Sequence, residues 1–455
     1  MKPFGLLLLV AASAGLATNA FAATRPRYGG ILRVAVREAP ASLDPAGSDQ
    51  LATFVSRSLS RLIFDTLVIL DSRGQPRPAL SSSWQAEPGN QRWRFNIRHG
   101  IAFHDGTGVS SDAIAASLRA ANPNWKVFAT GDAVVIESEV ATPNLPAILA
   151  LPRYGIAKRS GGSLTGSGPF AINHWEPAKK LTLVARDDYW GGRTFVDAIE
   201  IEMNKSFREQ MITLDLGKAD VVEVPSDQSR HAVLEGRHIE TSLPAEWMAL
   251  VFTRDNQSEE DKKLHEALAF SIDRDSMNSV LLQGGGESAG SLLPNWMTGY
   301  AFLFPMATDL ARARQLRGEV HQPPSWILGY DTADSLARVI AERIVLNARD
   351  AGLTLQPTNS ATVDVRLVRL QLASLDPRVA LTTLASGLGL PQPKFDDDTV
   401  NDLYLAESAL LQSQRMIPLV HLRTAVATSP NVRDWLEDQN GDWQLQNVWL
   451  DREKP

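Results

Sequence analysis

The chain has 455 residues, no cysteine and a formal net charge of −7. That length allows two or three domains with cores of their own, while the missing thiols exclude disulfides, thiolate catalysis, thiolate metal ligands and an acylated amino-terminal cysteine. The acidic balance, spread along the chain without basic blocks, speaks against nucleic acid as a partner.

At the amino terminus Lys2 precedes the apolar run FGLLLLVAASAGLA, and Ala20-Phe21-Ala22 follows. This is the charged, apolar and small-x-small order of a cleavable secretion leader. The run is short for a bilayer span, so residues 1–22 read as a signal peptide and the mature protein as soluble in an extracytoplasmic space, most simply a periplasm.

From about residue 28 to 165 short strand-like runs (ILRVAV, DTLVIL, RWRFNI, AVVIESEV) alternate with turn clusters. In RWRFNIRHGIAFHDGTGVSSDAIAASL, Trp93, Phe95 and Ile97 alternate with polar residues, as one face of a strand requires. His99-Gly100 and Asp105-Gly106 are turn chemistry, and Ser110 or Ser111 can cap a helix that carries Asp112 in its first turn. The unit reads as strand, two turns and helix; no further His or carboxylate stands near His104 and Asp105 to complete a metal site. LTLVA and DAIEIEM continue the strands, preceded by the break at Gly166, Gly168 and Pro169. After residue 252 helices dominate. One is expected to run from DKK at 261–263 through Leu264, Leu268, Ile272, Val280 and Leu281 to the GGG at 284–286. SWILGY, the helical stretch from Asp331 to Gly352, and LTLQPT form a βαβ unit, which calls for a parallel pair. The pattern implies two α/β lobes.

Several stretches, in order, resemble the bacterial solute-binding proteins of the family that serves oligopeptide, dipeptide and nickel ABC importers. They are YGGILRVAVREAPASLDPA (28–46), FDTLVILDSRGQPRPALSSSW (64–84), the RWRFNI segment, GSGPFAINHWEPAKKLTLVARDDYWGG (166–192), ALAFSIDRDSMNSVLLQGGGESA (267–289) and RMIPLVHL (415–422). The resemblance implies a two-lobed periplasmic-binding-protein-like α/β fold with mixed sheets and a hinged interlobe cleft. The first lobe would comprise residues 23–250, with a smaller subdomain at about 47–165, the second 251–420, and 421–455 would return to the first. The chain would cross between lobes near 250–256 and 416–423. It is shorter than typical members, mainly between Leu118 and Asp132 and in the second lobe.

By the same resemblance, ligand contacts fall at Asp49 and Leu51 after the Leu-Asp-Pro motif, and along DVRLVRLQLASLDP (364–377). In peptide binders that second stretch carries a carboxylate for the ligand's ammonium group and, three residues earlier, a stacking tryptophan; here those positions are Ala373 and Leu370. An ammonium buried without a counter-ion is unfavourable by several kcal/mol, on the order of an unpaired buried charge. Conventional amino-terminal recognition is therefore not expected, and Arg366 and Arg369 beside it, with His421 and Arg423 on the returning strand, would suit a blocked or acidic ligand. His265 reads as a support of its helix, and Trp247, Trp296 and Trp326 as candidates to line the cleft.

FDDD at 395–398 lacks EF-hand spacing, GGGESAG lacks the Lys-Ser/Thr of a phosphate loop, and no His-Glu-x-x-His exists. The expectation is a non-enzymatic binding component of an ABC importer, monomeric, without cofactor or metal, that meets a small or peptide ligand and permease subunits. The readings set against it are a secreted hydrolase and a ligand-sensing accessory protein. Amino-terminal sequencing of the osmotic-shock fraction should return Ala23 as the first residue; a membrane-bound product that keeps Lys2 would contradict the leader.

Overall fold

The computed structural model of the chain describes residues 25–47, 53–254, 258–332, 334–358, 362–435, 439 and 441–451. The leader and the two candidates Asp49 and Leu51 lie outside them.

One large mixed sheet runs through the molecule. Its strands are β1 (Ile31–Ala35), β2 (Phe170–Glu176), β3 (Lys180–Ala185), β4 (Ala198–Glu202), β5 (Val221–Val224), β6 (His238–Phe252), β7 (Ser325–Gly329), β8 (Thr354–Thr358), β9 (Val365–Gln371) and β10 (Met416–Thr428). Their order is β2-β3-β4-β1-β5-β10-β6-β9-β7-β8, with Gly286–Ser288 as an extra short strand on β10. The pairs β4–β1–β5 and β9–β7–β8 are parallel and the others antiparallel.

Two cores flank the middle of this sheet. Leu32, Phe170, Leu181, Ile199, Val221 and Val426 belong to one, which reaches the carboxy-terminal Trp443 and Leu450. Met248, Leu268, Ile340, Leu355, Val365 and Leu419 belong to the other. A four-stranded antiparallel sheet (Ser81–Ala86, Arg92–Ile97, Ala133–Glu137, Lys126–Thr130) forms a third packed unit around Phe95, Phe103, Ile114 and Leu118.

The stretch from Arg92 folds as its alternation requires: Trp93, Phe95 and Ile97 are buried between exposed neighbours. Asp105 then accepts from the Thr107 N–H and hydroxyl and from Lys158, which makes the HDG segment an Asx-type turn. His104 donates from Nε2 to the Gly168 carbonyl at 3.1 Å. Ser110 caps helix Ser111–Ala121 through the Ala113 N–H. The βαβ unit is present as β7, helix α1 (Ser335–Asp350) and β8, with β7 and β8 parallel.

The long helix expected from 261 to 283 is broken. Helix Glu259–Ser271 stops where Ile272 turns extended, and Asp273 caps a new turn by accepting from the Ser276 N–H. Met277–Leu281 follows as a wide turn, with Val280 exposed. The break has a use: it brings the buried Arg274 guanidinium onto the carbonyls of Pro418 and Ala269.

The Gly166-Ser167-Gly168 bend packs against helix Phe54–Ile63 so closely that a Cβ on Gly166 would stand 1.9 Å from the Ile63 carbonyl oxygen. Backbone cannot yield there as a side-chain tip could. Gly166→Ala should lower stability in urea denaturation by about 2 kcal/mol or more, the upper range of overpacking.

Candidate ligand site beside the crossing strands

β6 and β10 pair from His238–Thr428 to Val251–Met416, with register shifts between Thr241 and Ala249. At one end β10 pairs with β5, and at the other β6 pairs with β9. Pro244 sits at the first two shifts, where a residue without an N–H cannot continue the ladder.

β9 is flanked by β7 only at Val365 and Arg366. From Leu367 to Gln371 its outer edge has no strand partner among the described residues, and a cavity opens on each face. One, of about 310 Å³, is lined by Arg369 and Leu367 together with Glu38, Glu223, Ser226 and Asp334. The other, of about 340 Å³, is lined by Leu370 and Ala373 together with Gly47, Leu151, Pro152 and Leu384. Side chains alternate across a strand, so Arg369 and Leu370 serve different cavities. Gln371 borders both. Each cavity is walled by residues distant in sequence.

Leu370 and Ala373 thus meet, and Gly47 reaches them. The lining of their cavity contains no carboxylate among the described residues. Arg57 borders it, but its guanidinium is engaged by Asp442 at 2.9 Å and by the Leu372 carbonyl.

The three arginines expected near one point do not converge. Arg369 donates to Glu246 at 2.7 Å and to Asp334 at 3.3 Å. Burial alone would lower the Arg369 pKa, yet the carboxylates of Glu246 and Asp334 outweigh it and hold it above the ordinary guanidinium range. Asp334 also caps α1 through the N–H groups of Leu336 and Ala337, so the pair ties a helix start to the strand. Arg423 donates to Glu287 at 3.0 Å and to the Ser242 carbonyl. Arg366 is exposed and lines neither cavity.

His421 is 3 % exposed and donates from Nε2 to the Leu292 carbonyl. His265 stacks on Phe252 and donates from Nδ1 to the Gln414 carbonyl. Of the tryptophans, Trp247 and Trp326 are core residues, and Trp296 donates to the Pro244 carbonyl.

The acidic turn at 395–398 is used locally: Asp402 accepts from Asp396 N–H and Asp397 accepts from Thr399, and among the described residues no group of three or more His, Asp or Glu could hold a metal. Gly286-Glu287-Ser288-Ala289-Gly290 has the spacing of a hydrolase nucleophile elbow, a signal that sequence reasoning missed. The context is wrong for that role. Ser288 ends a strand paired with β10, not a strand-to-helix turn, and its hydroxyl donates to Asp275 at 2.7 Å. The residues that sequence reasoning overlooked at the cleft are Glu38, Glu223, Glu246 and Asp334; only their number in the chain's acidic balance hinted at them.

The outer edge of β9 is thus open along Leu367 to Gln371, with a cavity on either face. The family model of bacterial extracellular solute-binding proteins, family 5, matches residues 75–379. The oligopeptide-binding protein AppA of Bacillus subtilis (strain 168) is 23 % identical over 316 residues, which are 62 % of this chain and 58 % of that protein. The probable D,D-dipeptide-binding periplasmic protein DdpA of Escherichia coli (strain K12) is 22 % identical over 357 residues, 72 % of this chain and 68 % of its own. The chain therefore spans little more than half of the first of these relatives.

In three dimensions AppA in complex with a nonapeptide superposes with a TM-score of 0.76 at 17 % identity, covering 94 % of this chain and 100 % of that one. NikA from Brucella suis in complex with Fe(III)-EDTA does so with 0.79 at 17 % identity, over 92 % and 100 %. The chain belongs to the bacterial extracellular solute-binding proteins of family 5, and its fold is the two-lobed one of that family.

Burial pushes the His421 imidazole down to about 4, against the hydrogen bond to Leu292 that favours its protonated form. The folded state then binds fewer protons than the unfolded chain between about pH 6.5 and 4. Its neutral-histidine stability is complete above that window and is lost as pH falls through it. For one buried histidine this is up to about 3 kcal/mol. Urea denaturation at pH 7 and 4.5 should show a smaller drop for His421→Gln than for the unmodified protein.

Proposed function

We propose that this protein is the extracytoplasmic substrate-binding component of an ABC importer, which closes on an extended, peptide-like solute and delivers it to the permease. The observation that carries this reading is the unpaired edge of β9 from Leu367 to Gln371 between two cavities. An extended ligand can add to such an edge through its main chain, while alternate side groups enter pockets on the two faces. The name of the Bacillus relative and the nonapeptide in its complex agree with that mode.

The lobes in this proposal are residues 23–250 with 421–455, and 251–420. Met248 and Leu250 already pack in the second core, so bending would concentrate ahead of the crossings expected near 250–256 and 416–423, where β6 and β10 lose register at Thr241 to Glu246 and beside Arg423. Closure buries the ligand, and docking on the permease follows from the population of the closed form. The protein acts as a monomer in the periplasm, with Asp49 and Leu51 completing the cleft from the first lobe. A free terminal amine is not captured at position 373, because Ala373 offers no charge; an acidic group at Arg369 or Arg423 would have to displace Glu246 or Glu287, whereas Arg153, which lines the Leu370 cavity, donates to the Ala121 carbonyl.

The hydrolase reading finds little support. Ser288 is bonded to Asp275, and His421, opposite Glu287, is committed to a backbone carbonyl.

Native mass spectrometry of protein purified without refolding should retain a co-purified small ligand. In calorimetric titrations an N-acetylated tetrapeptide amide should bind. Methylation of each backbone nitrogen that faces β9 should weaken it about threefold to tenfold, the worth of one hydrogen bond. Equal affinity for all methylated forms would remove the strand-addition mode.

A further inference from the structure

The cavity on the Arg369 face is acidic in a way its salt bridges do not balance. Five carboxylates line it, those of Glu38, Glu223, Glu246, Asp331 and Asp334, against two guanidinium groups, Arg37 and Arg369. Arg369 is shared by Glu246 and Asp334. Glu223 accepts from the Arg37 backbone N–H and the Gln210 amide, while the Arg37 guanidinium lies over the Phe207 ring. Asp227, next in sequence to the lining residue Ser226 but not itself in the lining, feels both Asp334 and Arg369.

Two carboxylate oxygens stand apart, one of the lining and one beside it. Glu38 Oε2 and Asp227 Oδ1 are shut off from solvent and have no hydrogen-bond partner among the described residues. Burial pushes Glu38 up to about 7; its bond to Thr53 and the charge of Arg37 work against that, and Glu223 and Glu246 add to it. A buried acceptor without a donor is unfavourable, and in this wall it is surrounded by its own sign of charge.

The two walls come from different parts of the fold. Glu38 and Glu223 follow β1 and lie on β5, while Glu246, Asp334 and Arg369 belong to β6, the start of α1 and β9. Bringing the walls together sets carboxylates against carboxylates. A positive charge between them removes that repulsion and supplies donors to Glu38.

We propose that this cavity receives a positively charged group of the ligand, an amine or guanidinium, while the neighbouring group of the same extended ligand fills the cavity at Leu370 and Ala373, whose lining holds no carboxylate among the described residues. The inference rests on the receptor reading above and names its ligand class. Neighbouring residues of an extended ligand on the β9 edge point to opposite faces. One step along the ligand thus moves from the Leu370 cavity to the Arg369 cavity. The charge lost at Ala373 is replaced across the strand, where it meets a side group and not the terminal amine.

The test uses four-residue peptides with an acetylated amino terminus and an amidated carboxy terminus, identical but for one position that carries lysine, Nε-acetyl-lysine or glutamate. They are titrated calorimetrically into the full mature protein at pH 8 and pH 6, and into Glu38→Gln. The lysine peptide should bind about tenfold tighter than the acetyl-lysine peptide at pH 8, as a charge-assisted hydrogen bond implies. That ratio should shrink at pH 6, where Glu38 takes up a proton, and in Glu38→Gln at pH 8. Thermal melting checks that the variant is folded, and the pH comparison on unmodified protein stands if it is not. Equal or tighter binding of the acetyl-lysine or glutamate peptide overturns this inference and leaves the receptor reading intact. Binding of none of the three overturns both.

Discussion

β6 and β10 lie hydrogen-bonded side by side from His238–Thr428 to Val251–Met416. All other strands of the large sheet take their places from that pair, β5 on one flank at one end and β9 on the other flank at the other end. Main-chain hydrogen bonds therefore connect two hydrophobic cores without a linker between them. The loss of register around Pro244 is the place where this continuous sheet can bend, because the ladder there is already incomplete.

The second constraint is charge. Arg57 and Arg274 are buried and Arg369 half-buried, and each guanidinium is answered differently. Arg57 meets Asp442, Arg369 meets Glu246 and Asp334, and Arg274 meets carbonyl oxygens alone. Burial pushes the Arg274 pKa down to about 10, as expected where no carboxylate bonds to the guanidinium. Arg369 differs because its carboxylates also serve the helix start and the cavity wall. The same ion pairs that hold β9 in place leave one face of its edge acidic, while the cavity on the other face has no carboxylate among the described residues.

Local chemistry made much of the architecture readable. The Trp93, Phe95, Ile97 alternation, the Ser110 cap and the parallel βαβ unit follow from contacts within a few residues, or from a period that one buried face enforces. Reading failed where a local signal met a longer-range demand. The apolar spacing from Leu264 to Leu281 suits one helix, yet the bond from Arg274 to Pro418 across the core accompanies a break that Asp273 caps. The Gly-Glu-Ser-Ala-Gly spacing of an elbow went unread, and strand pairing with β10 gives its backbone another course.

At the cleft the same division holds. Sequence by itself determined that Ala373 brings no charge, since side-chain identity suffices for that; that residues 364–377 bear on a ligand is what the family resemblance implies and belongs to the proposal. Only the tertiary structure decided what the arginines do. Whether Arg369 and Arg423 are free depends on Glu246, Asp334 and Glu287, more than thirty residues away in each case. Electrostatic character belongs to the balance of charges within a few ångströms, and it is folding that chooses which charges those are.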